Sequence, residues 1–167
     1  MATVGISARM EYALRAMLLL AEASTDKAGP LSIEALAHRQ NLPSTFLEPI
    51  AADLKRAGLV HSVLGSKGGY QLTREPTDIS LGDVLRAVDG PLVQVRSLPP
   101  EVSEYAGVAE HLSDVWAAVQ ESVSRVLDRT SLHDVVASPH RVANSGGLPV
   151  VEQDVVLKFT AAASPPQ

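Results

Sequence analysis

The 167-residue chain has no cysteine. That absence excludes disulfides and thiol-based redox sensing. It also removes the thiolate donors of iron–sulfur clusters, for which serine and glutamate do not normally substitute as a full set. Aromatic residues are scarce, 4% of the chain against 46% hydrophobic residues overall, so the core must be built from aliphatics. Long apolar runs are missing as well. No stretch nears the ~20 residues of a membrane span, and the run 16–21, bracketed by Arg15 and Glu22, is shorter than the roughly 7–15 residues of a secretory h-region. The expectation is a cytoplasmic protein with no membrane contact. Enzymatic patterns are absent too: no nucleophile elbow, no phosphate-cradling loop ahead of a helix and no evident pair of convergent carboxylates. Gly65-Ser-Lys-Gly-Gly could cradle an anion, but it lies between predicted strands, where the P-loop mechanism does not apply. No catalytic residue is assigned.

The segment 54–73, Leu-Lys-Arg-Ala-Gly-Leu-Val-His-Ser-Val-Leu-Gly-Ser-Lys-Gly-Gly-Tyr-Gln-Leu-Thr, carries most of the signal. Helical spacing at Phe46, Ile50, Leu54 and Ala57 stops at Gly58, a residue suited to a left-handed cap. Two-residue alternation follows, with Leu59 and Val60 opening one strand and Tyr70 and Leu72 on the return. Gly65, Gly68 and Gly69 permit positive φ angles at the tip. Upstream, Ser32 caps a short helix, a turn falls at 41–43, and a second helix begins near Ser44. This is helix-turn-helix spacing followed by a hairpin wing, and in that arrangement the second helix lies in the major groove of DNA. Ser44, Thr45, Phe46 and Glu48 are its candidate contacts, with Ser44 also the expected N-cap. Pro49, on the fifth helical position, should kink the helix or delay its start. A third helix over 7–24 has an apolar stripe at Met10, Ala13, Leu14, Met17, Leu18 and Ala21, leaving Arg9, Tyr12 and Arg15 off the stripe as phosphate contacts or solvated side chains.

Several stretches together resemble the bacterial winged-helix regulators that include IscR, NsrR and CymR. They are Arg9-Met-Glu-Tyr-Ala-Leu-Arg-Ala, Ser32-Ile-Glu-Ala-Leu-Ala, Thr45-Phe-Leu-Glu, Leu54-Lys-Arg-Ala-Gly-Leu-Val, Gly68-Gly-Tyr-Gln-Leu, Ile79-Ser-Leu-Gly-Asp-Val-Leu-Arg-Ala-Val-Asp-Gly-Pro-Leu and the late Val115-Trp. They run in order over roughly residues 5–136. The resemblance implies a homodimeric regulator of transcription that binds double-stranded DNA, with Ser7, Thr45, Glu48 and the wing (Gly65, Ser66, Lys67, Gly68, Gly69, Tyr70) at the DNA face. Several members hold an iron–sulfur cluster through cysteines; the corresponding positions here resemble Ser97 and Glu110, a histidine position falls on Ser113, and Glu11 resembles a carboxylate ligand of one branch. No cofactor is therefore expected. Many relatives carry an arginine where this chain has Leu64, which cannot be drawn electrostatically into a narrow minor groove; Lys67 is the remaining point charge.

Charge is small and unevenly spread. Residues 1–75 hold eight Lys/Arg against seven Asp/Glu, residues 76–167 six against twelve, and the net is −5. Steep salt dependence of DNA binding requires Arg9, Arg15, Lys55, Arg56 and Lys67 to converge on one face. Downstream, Ser80 caps a short helix ending at Gly90-Pro91. A long amphipathic helix then runs from Ser103 or Val108 to Asp128, with Leu112, Val119 and Val126 seven apart and Val115, Trp116, Val123 and Leu127 beside them. Leu112, Val115, Trp116, Val119, Val123 and Val126 are the expected dimerisation surface, where two copies cross. Ser131-Leu-His-Asp-Val-Val closes the fold.

The predicted class is thus mostly α with a small β-hairpin: a winged helix-turn-helix domain over 1–90, a loop, dimerisation helix and closing helix over 91–137, and a Pro/Gly-containing tail over 138–167 in which 150–159 is a strand, a docking segment or unordered. The leading expectation is a homodimeric repressor controlled by a small-molecule effector between the long helix and the loop 92–109, or by a protein partner. The alternatives are a dimeric adaptor that kept the fold but lost specific DNA binding, and a metal sensor using Glu110, His111 and Asp114. One histidine with neighbouring acids is an incomplete site, on a face expected near the core or a partner, so no metal site is assigned.

Overall fold

A computed structural model describes residues 2–4, 6–90, 93–95 and 105–137. The expected tail over 138–167 and most of the loop after Gly90 lie outside the described residues.

Helix α1 (Ala8–Thr25) starts where Ser7, in extended conformation, accepts the Met10 N–H at 3.1 Å, satisfying one of the orphan donors of a helix N-terminus. Its expected stripe is too narrow. Met10, Ala13, Ala16, Met17, Leu19, Leu20, Ala21 and Ala23 are all buried, while Leu14 and Leu18 are only partly so. The helix is surrounded on several sides, packing on α2 (Ile33–Gln40), α3 (Ser44–Arg56), α4 (Leu81–Val88), α6 (Leu132–Ala137) and the wing strand β3 (Gly69–Leu72). Met17, Leu47, Ile50, Ile79, Val84 and Leu132 form the fully enclosed centre, each burial contributing about 1.5–3 kcal/mol.

The helix ends follow local chemistry. At α2, Ser32 accepts the Ala35 N–H, and Asn41 takes the left-handed conformation (φ 51°) while the Leu42 N–H donates to Ala37 O at 2.9 Å. At α3, Gly58 (φ 72°) reverses the chain, with Gly58 N–H to Lys55 O at 3.0 Å and Leu59 N–H to Leu54 O at 2.9 Å. This is the paired closure that glycine makes without a Cβ penalty. Helix α4 carries a complete capping box: Ser80 Oγ accepts the Asp83 N–H, and Asp83 accepts the Ser80 N–H at 3.1 Å.

Strands β2 (Val60–Val63) and β3 pair antiparallel in the register Val60↔Leu72, His61↔Gln71, Ser62↔Tyr70 and Val63↔Gly69. Leu31 adds a bridge to Tyr70 on the other edge of β3, with Leu31 N–H to Tyr70 O at 3.1 Å and the reverse bond at 2.8 Å. A second pair was not anticipated from sequence: β1 (Ala2–Val4) and β4 (Val93–Val95) are antiparallel. The long helix α5 (Leu112–Arg129) starts later than expected, behind a 3-10 turn over Gly107–Ala109, and buries none of its residues fully.

Candidate nucleic-acid interface

Leu42 is buried at the α2–α3 turn, and the next residue, Pro43, is the N-cap of α3, in extended conformation with no side-chain cap. This corrects the expectation for Ser44. Pro43 O accepts the Phe46 N–H at 3.2 Å, so Ser44 is already helical, and its hydroxyl has no partner among the described residues. Pro49 does not delay the helix, which runs unbroken from Ser44 to Arg56. The one backbone bond it deletes would have ended on Thr45, in the exposed first turn, where water can take its place.

Leu47, Ile50, Ala51 and Leu54 anchor α3 in the core, which leaves Ser44, Thr45, Phe46, Glu48, Pro49, Ala52, Lys55 and Arg56 exposed. Phe46 is 58% exposed and meets the half-buried Tyr12 ring edge-on, centroids 6.2 Å apart. Arg9 and Arg15 differ from the other cations. The Arg9 guanidinium pairs with Asp53 of α3 and donates to Val88 O at 3.1 Å, tying α1 to α3 and α4. Arg15 donates to Gln40 Oε1 at 3.0 Å and to the Gln40 carbonyl. Ser7 donates to Asp89 at 2.6 Å while capping α1. Asp53 also accepts from Arg56, and that hydrogen bond, ahead of the Arg9 contacts, holds its carboxyl below the usual range. Lys55 Nζ reaches Ser62 Oγ at 2.9 Å, fastening the end of α3 to the root of the wing. The five cations therefore do not form one free patch: Arg9 and Arg15 are committed within the chain, whereas Lys67 at the wing tip has no ionic partner among the described residues.

At the tip, Gly65 (φ 115°) and Gly69 (φ 154°) have the positive angles expected of them, but Gly68 does not. Gly68 is required for space: a Cβ there would stand 2.3 Å from Val63 O. Gly69 is constrained twice, since its Cβ would also stand 2.4 Å from the Leu31 backbone. Ser66 and Lys67 are exposed, Tyr70 half-buried, and Leu64 is 94% exposed at the position where relatives were expected to carry arginine.

On α5, Val123 and Leu127 pack against the Met10–Leu85 cluster, as Val88 does, and Asp128 pairs with Arg86 of α4 at 2.6 Å. Arg86 also pairs with Asp83 at 3.0 Å, and these contacts, Asp128 first, raise its pKa. Leu112, Val115 and Val126 are exposed, with Trp116 and Val119 half-buried. Between α4 and α5 lies a cleft of about 250 Å³ lined by Gly82, Leu85, Arg86, Gln120, Ser124 and Leu127.

His111 is not near the core: it is 82% exposed, with Asp114 3.4 Å from Nδ1 and Glu110 3.8 Å from Nε2. Among the described residues no three or more His, Asp or Glu side chains converge as a metal site.

Residues 6–138 match the Rrf2 family, described as iron-dependent transcriptional regulators. The chain belongs to the Rrf2 family. It is 36% identical to the HTH-type transcriptional regulator CymR of Bacillus subtilis over 132 residues, covering 79% of this chain and 89% of that one. A candidate HTH-type regulator of Mycobacterium tuberculosis strain H37Rv is 42% identical over 140 residues, covering 83% and 86%. The solved structure of CymR, the global cysteine regulator of B. subtilis, superposes with a TM-score of 0.67 at 35% identity over 81% of this chain and 98% of that one. The IscR structure from T. potens does so with 0.66 at 34% identity over 86% and 93%. These Rrf2-family matches make the chain a transcriptional regulator of winged-helix type and not an enzyme, and no described helix is long and apolar enough to cross a membrane.

Proposed function

We propose that this Rrf2-family chain is a homodimeric repressor that binds a dyad-symmetric site on double-stranded DNA, with α3 in the major groove and the β2–β3 tip on the flanking backbone or minor groove. The observation that carries the reading is the exposure of Thr45, Phe46, Glu48 and Pro49 at the start of α3, together with an exposed wing tip whose root is bonded to the same helix through Lys55 and Ser62. Ser7, Arg9 and Tyr12 support that face from α1, Arg9 through Asp53. The second copy is called for by α5, whose Leu112, Val115 and Val126, with the half-buried Val119, form a stripe that the described residues leave largely uncovered. Two copies would set half-sites about one helical turn apart.

The iron dependence in the family description, if met by an iron–sulfur cluster, calls for thiolate donors that this chain does not supply. It has no cysteine. Glu11 is an exposed helix residue paired with Arg15, Glu110 and Ser113 flank the exposed His111, and Ser97 lies outside the described residues. An iron–sulfur cluster does not fit these residues. Control passes instead to a small ligand or protein partner acting at α5, beside which the α4–α5 cleft offers room for a small molecule.

Titration of a fluorescent duplex from the region upstream of the protein's own coding sequence tests the reading. Saturable binding below micromolar concentration at moderate salt, with two protomers per duplex, is expected. Binding that is weak and indifferent to sequence would favour the adaptor and overturn the repressor.

A further inference from the structure

Residues 44–52, Ser-Thr-Phe-Leu-Glu-Pro-Ile-Ala-Ala, contain no Arg, Lys, Asn or Gln. The side chains that make bidentate contacts to guanine or adenine are therefore missing from the helix that would enter the groove. Thr45, Glu48, Pro49 and Ala52 follow the i, i+3, i+4, i+7 spacing of one exposed ridge, and Glu48 offers acceptors only. Phe46 and Pro49, three apart and hence surface neighbours, make a contiguous apolar patch at the first two turns. Both are exposed, and the Phe46 ring is steadied by Tyr12. Pro49 has no backbone N–H to offer. The apolar feature in the major groove is the 5-methyl group of thymine.

We infer that Phe46 and Pro49 read thymine methyl groups, so that the half-site is specified by methyl contact where arginine or an amide would specify it by hydrogen bonds. This rests on the DNA-binding reading above and names what that surface recognises.

The test starts by selecting bound sequences from a randomised duplex library with the full-length protein. The selected duplex is then titrated beside copies in which single thymines are replaced by deoxyuridine, which deletes the methyl group and leaves every hydrogen-bonding atom. Loss of a methyl seated on the patch should weaken binding about four-fold, the worth of one buried methylene. Phe46→Ala and Pro49→Ala should each blunt that difference at their own thymine. Both positions are exposed, and replacing the proline restores a helix hydrogen bond, so neither variant endangers the fold. Equal binding of thymine and uracil duplexes by the unaltered protein, or a methyl preference that survives in both variants, overturns the inference and leaves specific DNA binding intact. A library that enriches no sequence overturns both readings.

Discussion

Helices α1 and α5 are each 18 residues long and each amphipathic, yet α1 buries eight side chains and α5 none. The difference lies in neighbours. Helix α1 is enclosed by α2, α3, α4, α6 and β3, whereas α5 rests on α4 through Val123 and Leu127 and is tied there by Arg86 and Asp128. Leu112, Val115 and Val126 face outward, Val115 with 52% of its surface free, while Trp116 and Val119 are half-buried. An apolar stripe says that a face seeks cover; only the packing says whether the same chain provides it. Substitutions in α1 should therefore damage the fold, and those on the outer face of α5 the assembly.

The largest expected effect is that of Val115→Glu. A charge in the middle of the α5 stripe should give folded monomers by sedimentation velocity and lower operator affinity by about 10²–10⁴-fold, the scale of lost bivalent engagement. A dimer that persists would break the comparison. Met17→Ala is the matching change in α1 and should cost about 2–5 kcal/mol in chemical denaturation, without a specific loss of self-association in whatever remains folded. Gly69→Ala, which sets a Cβ against the Leu31 backbone at a strained angle, should cost about 1–3 kcal/mol. It should also detach the wing, visible as faster amide exchange at Tyr70. Ser80→Ala removes half of the α4 capping box and should cost about 1 kcal/mol by thermal melting.

The smallest effect is one of pH. Burial opposes the charge of Asp83, but the Ser80 backbone N–H, the Arg86 guanidinium and the Ser80 hydroxyl outweigh it and leave the carboxyl below its ordinary value of 3.8. A depressed folded value means that the stabilisation is complete above pH 3.8 and disappears as the pH falls through the lower folded value. Asp83→Asn should thus cost less than about 1 kcal/mol at pH 7, and the gap to the unaltered protein should narrow in denaturation curves as the pH is taken below 3.8.

What was legible in the sequence was local. Ser32, Gly58 and Ser80 act on backbone within a few residues, and the wing register follows from alternation on either side of a glycine-rich tip. Non-local features were illegible. Arg9 finds Asp53 far along the chain and Ala2–Val4 pairs with Val93–Val95 across nearly the whole described domain, and neither partner leaves a mark on the other's neighbourhood. Ser44 was misread because Pro43, a poorer capping side chain, already has the required extended backbone. Gly68 was misread because a glycine demanded by crowding looks, in sequence, like one demanded by φ. At the candidate interface, helix-turn-helix spacing points to positions 44–46 and 48, which are exposed, but the internal commitments of Arg9 and Arg15 needed coordinates.

The bridge between Leu31 and Tyr70 makes β3 the middle member of a three-ribbon seam whose third member leads straight into α2. Held by backbone bonds along β3 and by the Lys55–Ser62 contact on β2, the hairpin is restrained from swinging on its stem, so in the proposed complex its tip and α3 would act as the two jaws of a fixed caliper. On that reading, duplexes whose groove dimensions depart from the gap would have to bend to be gripped.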